Sequence, residues 1–483
     1  MSRVVPVRLG CALLAVTAFT ACTSAAPDVS SPASGGRGRP AVVDSAGSDG
    51  AGDPYYPQDG NGGYDVADYA VSLSYDPGTK VLDGDTTVTA SADERLARFN
   101  LDLNGFEVSE VTVDGEPARF ERSGEHELVV VPARPVAAKA TFRTRVRYSG
   151  TPQAADDGSL GAGGWQESAS GGAFAAGEPH AASFWYPAND HPADKATFHL
   201  SARVPDGWGV VSNGLEQPPV SADGWTTFAW ADTNRLTTYS SVIAIDRWTY
   251  ERGTLPDGVP YVNAYAPGVE DKKDIQARMP DMIDFLSARF GRYPQVAAGG
   301  IYLNENIGFS LETQGRPVYA KWAEQDVVVH ELSHQWFGDW VSIDSWADIC
   351  LNECLASYAQ WLWDEQENGA DLDDRFRTAV ARGTGRLWSG ALYDMGTGHE
   401  FDAVYDKGPL AMHALRRQVG DDVFDRALRQ WVTEHRDGNA SWPQFEALVT
   451  RLSGQDLRGF LDAWFRSDSK PADVYLYPGT LAH

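Results

Sequence analysis

The chain has 483 residues, with 67 acidic side chains against 40 basic ones and a formal net charge of −27. Such an excess repels nucleic-acid phosphates, which excludes a nucleic-acid partner and leaves a solubility surface as the expected use of the charge. Behind an N-terminal polar stretch, roughly 420 residues exceed one ordinary hydrophobic core, so two domains are expected.

The chain opens on an address rather than a fold. Arg3 and Arg8 lead into an apolar run over residues 9–19, followed by Thr20-Ala21-Cys22. A charged start and an apolar run too short to cross a bilayer mark an export signal. The small residues before Cys22 resemble a bacterial lipobox, in which the cysteine is acylated and becomes the mature N-terminus. Residues 1–22 are therefore read as the signal of a cell-surface lipoprotein, with free secretion as the alternative. Residues 23–63 are rich in Ser, Ala, Gly, Pro and Asp and offer little to bury, so a disordered tether is expected. No later stretch reaches the ~18 apolar residues of a spanning helix, so membrane contact is expected through the lipid anchor only.

From residue 64 to 252 the apolar pattern has period two. Tyr69, Val71, Leu73 and Tyr75 alternate with small or polar residues until Asp76-Pro77-Gly78 turns the chain. Similar runs recur at 99–103, 108–113, 128–131, 198–204 and 240–245. Together they predict an all-β, sandwich-like N-terminal domain. Residues 151–176 are mostly Gly, Ala and Ser and are expected to form a long loop. Past residue 253 the period changes: Ile275, Met279, Met282, Leu286 and Phe290 predict an amphipathic helix kinked at Pro280. Strands are expected over 301–303 and 307–319, and helices from 324 to about 465.

The helical part carries chemistry. His330 and His334 stand four residues apart, so both imidazoles leave one helix face toward a common point. Glu353 follows after eighteen intervening residues, in a helix expected over 348–362. Two imidazole nitrogens and one carboxylate oxygen make the three-ligand site of a hydrolytic zinc enzyme, which leaves the fourth tetrahedral position to water. Glu331 then lies beside that water as general base. A core helix that carried these groups for packing alone would bury several polar atoms without partners, which is costly. One Zn2+ per chain is expected. Cys350 and Cys354 flank Glu353 at i and i+4. A bridge of that spacing along a regular helix has poor geometry, so buried free thiols are expected, and the complete ligand set leaves no need for thiolate ligands.

These residues resemble the aminopeptidase N family of zinc metallopeptidases, gluzincins whose relatives include a bifunctional leukotriene epoxide hydrolase. The run HELSHQWFGDWVS from His330 follows that family's helix, and the eighteen-residue gap is its spacing. Phe309-Ser310-Leu311-Glu312-Thr313 stands where the family has GxMEN, with only the glutamate identical. Tyr405-Asp406-Lys407-Gly408 matches its YxKG segment, and Gly177-Glu178-Pro179-His180-Ala181 resembles the segment that brings a second polar side chain to the substrate amine. The resemblance implies a saddle-like β-domain over 64–252 followed by an α+β, thermolysin-like catalytic domain over 253–483. It also implies a short bacterial form without the C-terminal helical domain of longer relatives, and hence a more open site.

The roles implied are specific. Tyr405 would stabilise the tetrahedral intermediate, Glu312 and then Glu178 would bind the protonated substrate amine, and Phe309, in place of the usual glycine, would reshape the pocket for the first side chain. Asp339 and Asp348 are candidates for orienting the histidines. The expected function is zinc-dependent removal of N-terminal residues from peptides with a free amine. The alternatives are an endopeptidase or epoxide hydrolase on the same site, or a non-catalytic peptide-binding lipoprotein.

Overall fold

The computed structural model describes residues 45–155, 160 and 163–482. The expected signal, Cys22 and the first part of the tether lie outside the described residues.

The period-two segments form a nine-stranded sheet whose central strands run in the order Trp225–Thr237, Lys195–Pro205, Tyr64–Asp76, Val81–Ala92, Thr141–Gly150. Along Tyr64–Asp76 the side chains of Tyr64 and Val66, and then of Tyr69, Val71, Leu73 and Tyr75, are buried. The change of parity between Val66 and Tyr69 is made by a bulge between Val66 and Asp68, which lets both runs face the same core. A four-stranded sheet, including Leu96–Asp102 and Glu127–Val131, and a five-stranded sheet contribute to the same core, which holds Phe99, Val130, Phe174 and Ile245 beside Tyr69 and Val71.

Two expectations for this half are corrected. Residues 45–63 are not a free tether. Ser45–Ala46 pairs in parallel with Leu96 and Arg98, and Asp53, Tyr55 and Asn61 are buried. Asp53 Oδ2 accepts from the Trp346 N–H at 2.9 Å and faces His191 Nε2 at 3.2 Å. The segment is held by backbone pairing and polar bonds, which a reading based on apolar burial does not register. Residues 151–176 are not simply a loop either. Ala154–Ala155, Gly163–Glu167 and Ala173–Ala175 enter the five-stranded sheet beside Ile243–Asp246. Trp165 and Phe174 supply its burial, and the small residues permit close approach: a Cβ on Gly172 would lie 1.9 Å from the Ile245 carbonyl oxygen.

In the second half, Thr249–Thr254, Pro260–Tyr265, Ala298–Tyr302 and Val318–Tyr319 form a four-stranded sheet. Thr249–Thr254 runs across the boundary expected at 252. Of the strand expected over 307–319 only Val318–Tyr319 forms, with Leu311 bridging to Val318 through two backbone hydrogen bonds of 2.8 Å. Pro280 does not kink a helix. It stands in the first turn of Met279–Phe290, where its missing N–H would have had no intrahelical partner, and a separate short helix, Lys273–Gln276, precedes it.

Helices then dominate, from Gln325–Ser333 through Cys350–Asn368, Lys407–Val419, Asp421–Glu434 and Trp442–Ser453, around a core containing Leu332, Trp336, Leu355, Leu415 and Trp464. The architecture is thus a mostly-β N-terminal domain followed by an α+β domain. Lys195, on a strand of the first, donates through Nζ to the carbonyls of Asp339 at 2.6 Å and Trp340 at 3.4 Å in the second. Its burial pushes its pKa down to about 8.

The cysteines also correct an expectation. Cys350 and Cys354 form a disulfide, with Cα atoms 4.7 Å apart, inside the range that a bridge accepts. The helix starts at Cys350, with Ile349 as its cap. The bridge therefore spans a first turn, whose leading N–H groups lack intrahelical partners, rather than the regular interior on which free thiols were expected.

Candidate active site

The helix Gln325–Ser333 is placed by burial of Val328, Val329 and Leu332, with Asp326 in its first turn where negative charge is favoured. It carries His330, and His334 caps it in helical conformation, so the two rings face each other with centroids 4.8 Å apart. The helix Cys350–Asn368 brings Glu353 to the same point. His330 Nε2 lies 3.1 Å from Glu353 Oε2 and His334 Nε2 3.7 Å from Oε1.

These three groups fit zinc on the structure's own terms. One ligand atom from each lies within 4.8 Å of the other two. His334 donates from Nδ1 to the Phe337 carbonyl at 3.0 Å, which fixes its tautomer and leaves the Nε2 lone pair buried without a hydrogen-bond partner among the described residues. Burial pushes His330 down to about 4, so its imidazole stays neutral, the form that ligates. Two imidazole nitrogens and one carboxylate around a single point are the donor set of a zinc site.

Four more acids and phenols converge here. Glu331 is buried, and that burial, with the carboxylates of Glu312, Glu353 and Asp339, pushes its pKa well up. Glu312 and Glu178 stand with Glu353 in a second group whose carboxylate oxygens lie within 4.8 Å of one another. One oxygen of Glu178 is buried without a hydrogen-bond partner among the described residues, and burial followed by Glu312, Glu353 and Glu331 raises its pKa strongly. Burial raises Glu312 too, although His334 opposes the shift.

Tyr405 completes the group, with its ring 6.0 Å from that of His330. It is 41% exposed and lines the cavity. Desolvation of its phenol and the carboxylates of Glu353, Glu178, Glu312 and Glu331 push its pKa up, so the hydroxyl remains a donor throughout the neutral range. The residues after it explain its placement. Lys407 is buried and donates to the carbonyls of Gly390 at 2.7 Å and Ser467 at 2.6 Å. Gly408 lets the helix Lys407–Val419 close onto the disulfide turn, since a Cβ there would lie 2.8 Å from Cys354 Sγ.

His330, Glu331, His334, Glu353, Tyr405, Glu312 and Glu178 all line one cavity of about 330 Å³, with Phe309 and Trp322 in its wall. Asp348 is elsewhere, accepting from the Trp442 N–H at 2.8 Å, and the orienting partner of His334 is the Phe337 carbonyl rather than Asp339. Sequence reasoning missed two residues. Gln335 donates to the Glu312 carbonyl at 3.2 Å and accepts from the Gly315 N–H at 2.6 Å, so it ties the Glu312 loop to the histidine helix; its place directly after His334 was the available signal. Tyr239 donates to Glu312 Oε1 at 3.2 Å, and nothing in the local sequence marks it.

Comparison with known proteins agrees with this geometry. Residues 65–240 match the Peptidase M1 N-terminal domain and residues 309–464 the Peptidase family M1 domain. Aminopeptidase N of Lactococcus lactis subsp. lactis is 23% identical over 445 residues, covering 83% of this chain and 50% of its own length. The chain spans about half the length of the curated relatives it matches. Among solved structures, the M1 zinc metallopeptidase from Deinococcus radiodurans is 31% identical with a TM-score of 0.81, covering 88% of this chain and 98% of that one. A mutant of it bound to a Tyr-Ser-Ala substrate superposes with a TM-score of 0.82 and is covered to 99%. With both halves matched and a relative 31% identical along nearly its whole length, this chain belongs to peptidase family M1.

Proposed function

We propose that the protein is a zinc-dependent aminopeptidase that removes N-terminal residues from peptides, with one zinc ion at the catalytic centre. The observation that carries this reading is the pair of carboxylates, Glu178 and Glu312, grouped with Glu353 inside the cavity although neither is needed as a ligand. Buried acids without a cation are costly. A substrate ammonium group answers that need and sets the distance from the free N-terminus to the first peptide bond. The tripeptide substrate in the Deinococcus radiodurans mutant structure supports the same substrate class.

Held by His330, His334 and Glu353, zinc would polarise the scissile carbonyl and acidify a water molecule. Glu331 takes the proton of the attacking water and returns it to the departing amine. The Tyr405 hydroxyl donates to the carbonyl oxygen as it becomes negative, a contact whose loss typically costs about 10²–10³ in rate. Glu312 and Glu178 accept from the substrate ammonium, and Phe309 bounds the space for the first side chain.

Location belongs to the same proposal: acylation of Cys22 would tether the enzyme at the outer membrane surface. No helix among the described residues is long and apolar enough to cross a membrane. The deciding experiment follows the products of a tripeptide such as Tyr-Ser-Ala by mass spectrometry, before and after chelation and zinc repletion. Stepwise release from the amino end, lost and restored with zinc, is expected. Internal cleavage of longer peptides with blocked ends would instead favour an endopeptidase.

A further inference from the structure

Away from the catalytic cavity, the antiparallel strands Leu96–Asp102 and Glu127–Val131 set Asp102 directly opposite Glu127. Like charges in that relation repel, and here both side chains are buried, at 1% and 8% exposure. Asp102 has partners: Oδ1 accepts from Asn61 Nδ2 at 3.0 Å and Oδ2 from the Asp190 N–H at 2.8 Å. Glu127 has no hydrogen-bond partner on either oxygen among the described residues. Asn100, whose amide donates to Asp49 Oδ1 at 2.7 Å, lies near enough to lower the pKa of Glu127. The cations nearby, Arg98 and Arg122, lower it as well but hydrogen-bond elsewhere, Arg98 with Asp49 at 3.1 Å and Arg122 with the Leu103 carbonyl. Burial, reinforced by Asp49, pushes Glu127 up to about 7.

His126 turns toward the same point. Its Nε2 donates to the Gln58 carbonyl at 3.0 Å and lies 3.8 Å from Asp102 Oδ1, so a metal ion here would take the place of that proton. One ligand atom from each of Asp102, His126 and Glu127 lies within 4.8 Å of the other two. A cavity of about 320 Å³ opens beside Asp102 and His126, with Asp59, Glu125 and Asp190 also in its wall. Asp190 is buried, and its Oδ1 has no hydrogen-bond partner among the described residues.

We propose that Asp102, His126 and Glu127, with the Gln58 carbonyl, bind a second divalent metal ion of the first transition row, Mn2+ or Zn2+, separate from the catalytic centre. Two carboxylates balance the charge of the dication, and the imidazole nitrogen selects against Ca2+ and Mg2+, which prefer oxygen. The repulsion between Asp102 and Glu127 is thereby replaced by shared ligation. The role is structural: Gln58 belongs to the segment 45–63, which reaches the catalytic domain through Asp53, and the ion pins that segment to the β-domain.

The test uses the full chain, stripped with a chelator, reloaded with one equivalent of Zn2+ and then titrated with Mn2+, with bound metal counted by elemental analysis and free Mn2+ followed by electron paramagnetic resonance. The parent protein should take up a second ion and melt at a higher temperature with it. Glu127→Gln and His126→Gln should weaken Mn2+ binding at least about tenfold and abolish the thermal shift, while peptide turnover and the first Zn2+ remain. His126 is partly exposed, so its variant keeps a readable fold even if the other does not. One metal per chain at saturation, retention of the second ion by both variants, or uptake of Ca2+ in preference to Mn2+ would each overturn the assignment.

Discussion

Tyr239 donates its hydroxyl proton to Oε1 of Glu312 at 3.2 Å. The same hydroxyl receives the amide of Asn352, the residue before Glu353, at 3.3 Å, and its ring stands 5.5 Å from that of Trp346. A side chain of the β-domain thus holds the carboxylate assigned to the substrate amine and touches the helix that carries a zinc ligand. Tyr239→Phe keeps the packing and removes one hydrogen bond to a charged group. About a tenfold fall in kcat/KM is expected, expressed mainly in KM. Steady-state kinetics on aminoacyl reporter substrates check it, and unchanged kinetics would show that Glu312 is positioned without Tyr239.

Glu312 itself is tested by the amine. Glu312→Ala removes a charged partner worth about 1.5–3 kcal/mol, or roughly 10–150-fold in kcat/KM. N-acetylated peptides should be poor substrates of the parent enzyme, and the variant should discriminate much less between free and acetylated peptides. Equal cleavage of both by the parent enzyme would refute the aminopeptidase reading and leave a zinc hydrolase standing.

Glu331→Gln deletes a base and no ligand. Zinc content should match the parent protein by elemental analysis, while turnover falls by at least about 10²–10⁴. Loss of zinc in this variant would move Glu331 into the ligand set.

The grouping of His330, His334 and Glu353 was legible because its signal is local: the two histidines share a helix face whatever the rest of the chain does, and Glu353 follows at a recognisable spacing. Glu312, Glu178 and Tyr405 became legible only through the family resemblance, since no periodicity connects them. Tyr239 was invisible for a plainer reason, as its partners lie far away in sequence on Glu312 and Asn352. The disulfide was misjudged because the i,i+4 spacing was weighed against regular helix geometry, whereas Cys350 is the residue at which the helix starts. Residues 45–63 were misjudged because their anchors are a carboxylate, a phenol and backbone groups rather than an apolar stripe.

That segment makes a pH prediction. Burial alone would raise the pKa of Asp53, but hydrogen bonds from His191 and from the N–H groups of Trp346 and Tyr55 outweigh it and bring it from 3.8 down to about 2. A depressed carboxylate stabilises the fold above its unfolded pKa, and the contribution is lost as pH falls from 3.8 toward 2. Discounted for solvent screening, it is worth about 1–2 kcal/mol. Urea unfolding of Asp53→Asn and the parent protein should differ by that amount near neutrality and converge toward pH ~2. A gap that persists at low pH would assign the loss to packing instead.

The last prediction joins the segment to catalysis. The Tyr55 hydroxyl donates to Asp394 Oδ1 at 3.1 Å and accepts from the Gly396 N–H at 2.7 Å. Both partners lie in the stretch that leads to Tyr405, the donor assigned to the developing oxyanion. Tyr55→Phe removes both bonds and leaves the ring in its buried place. With zinc content unchanged, kcat should fall about 3–10-fold, because a donor displaced by a fraction of an ångström loses part of its contribution. KM should change less, since Glu312 and Glu178 do not depend on that stretch. The double variant Tyr55→Phe, Tyr405→Phe should be no slower than Tyr405→Phe alone, because the effect is argued to pass through that one hydroxyl. Additive losses would mean that the segment steadies the domain generally and does not position Tyr405.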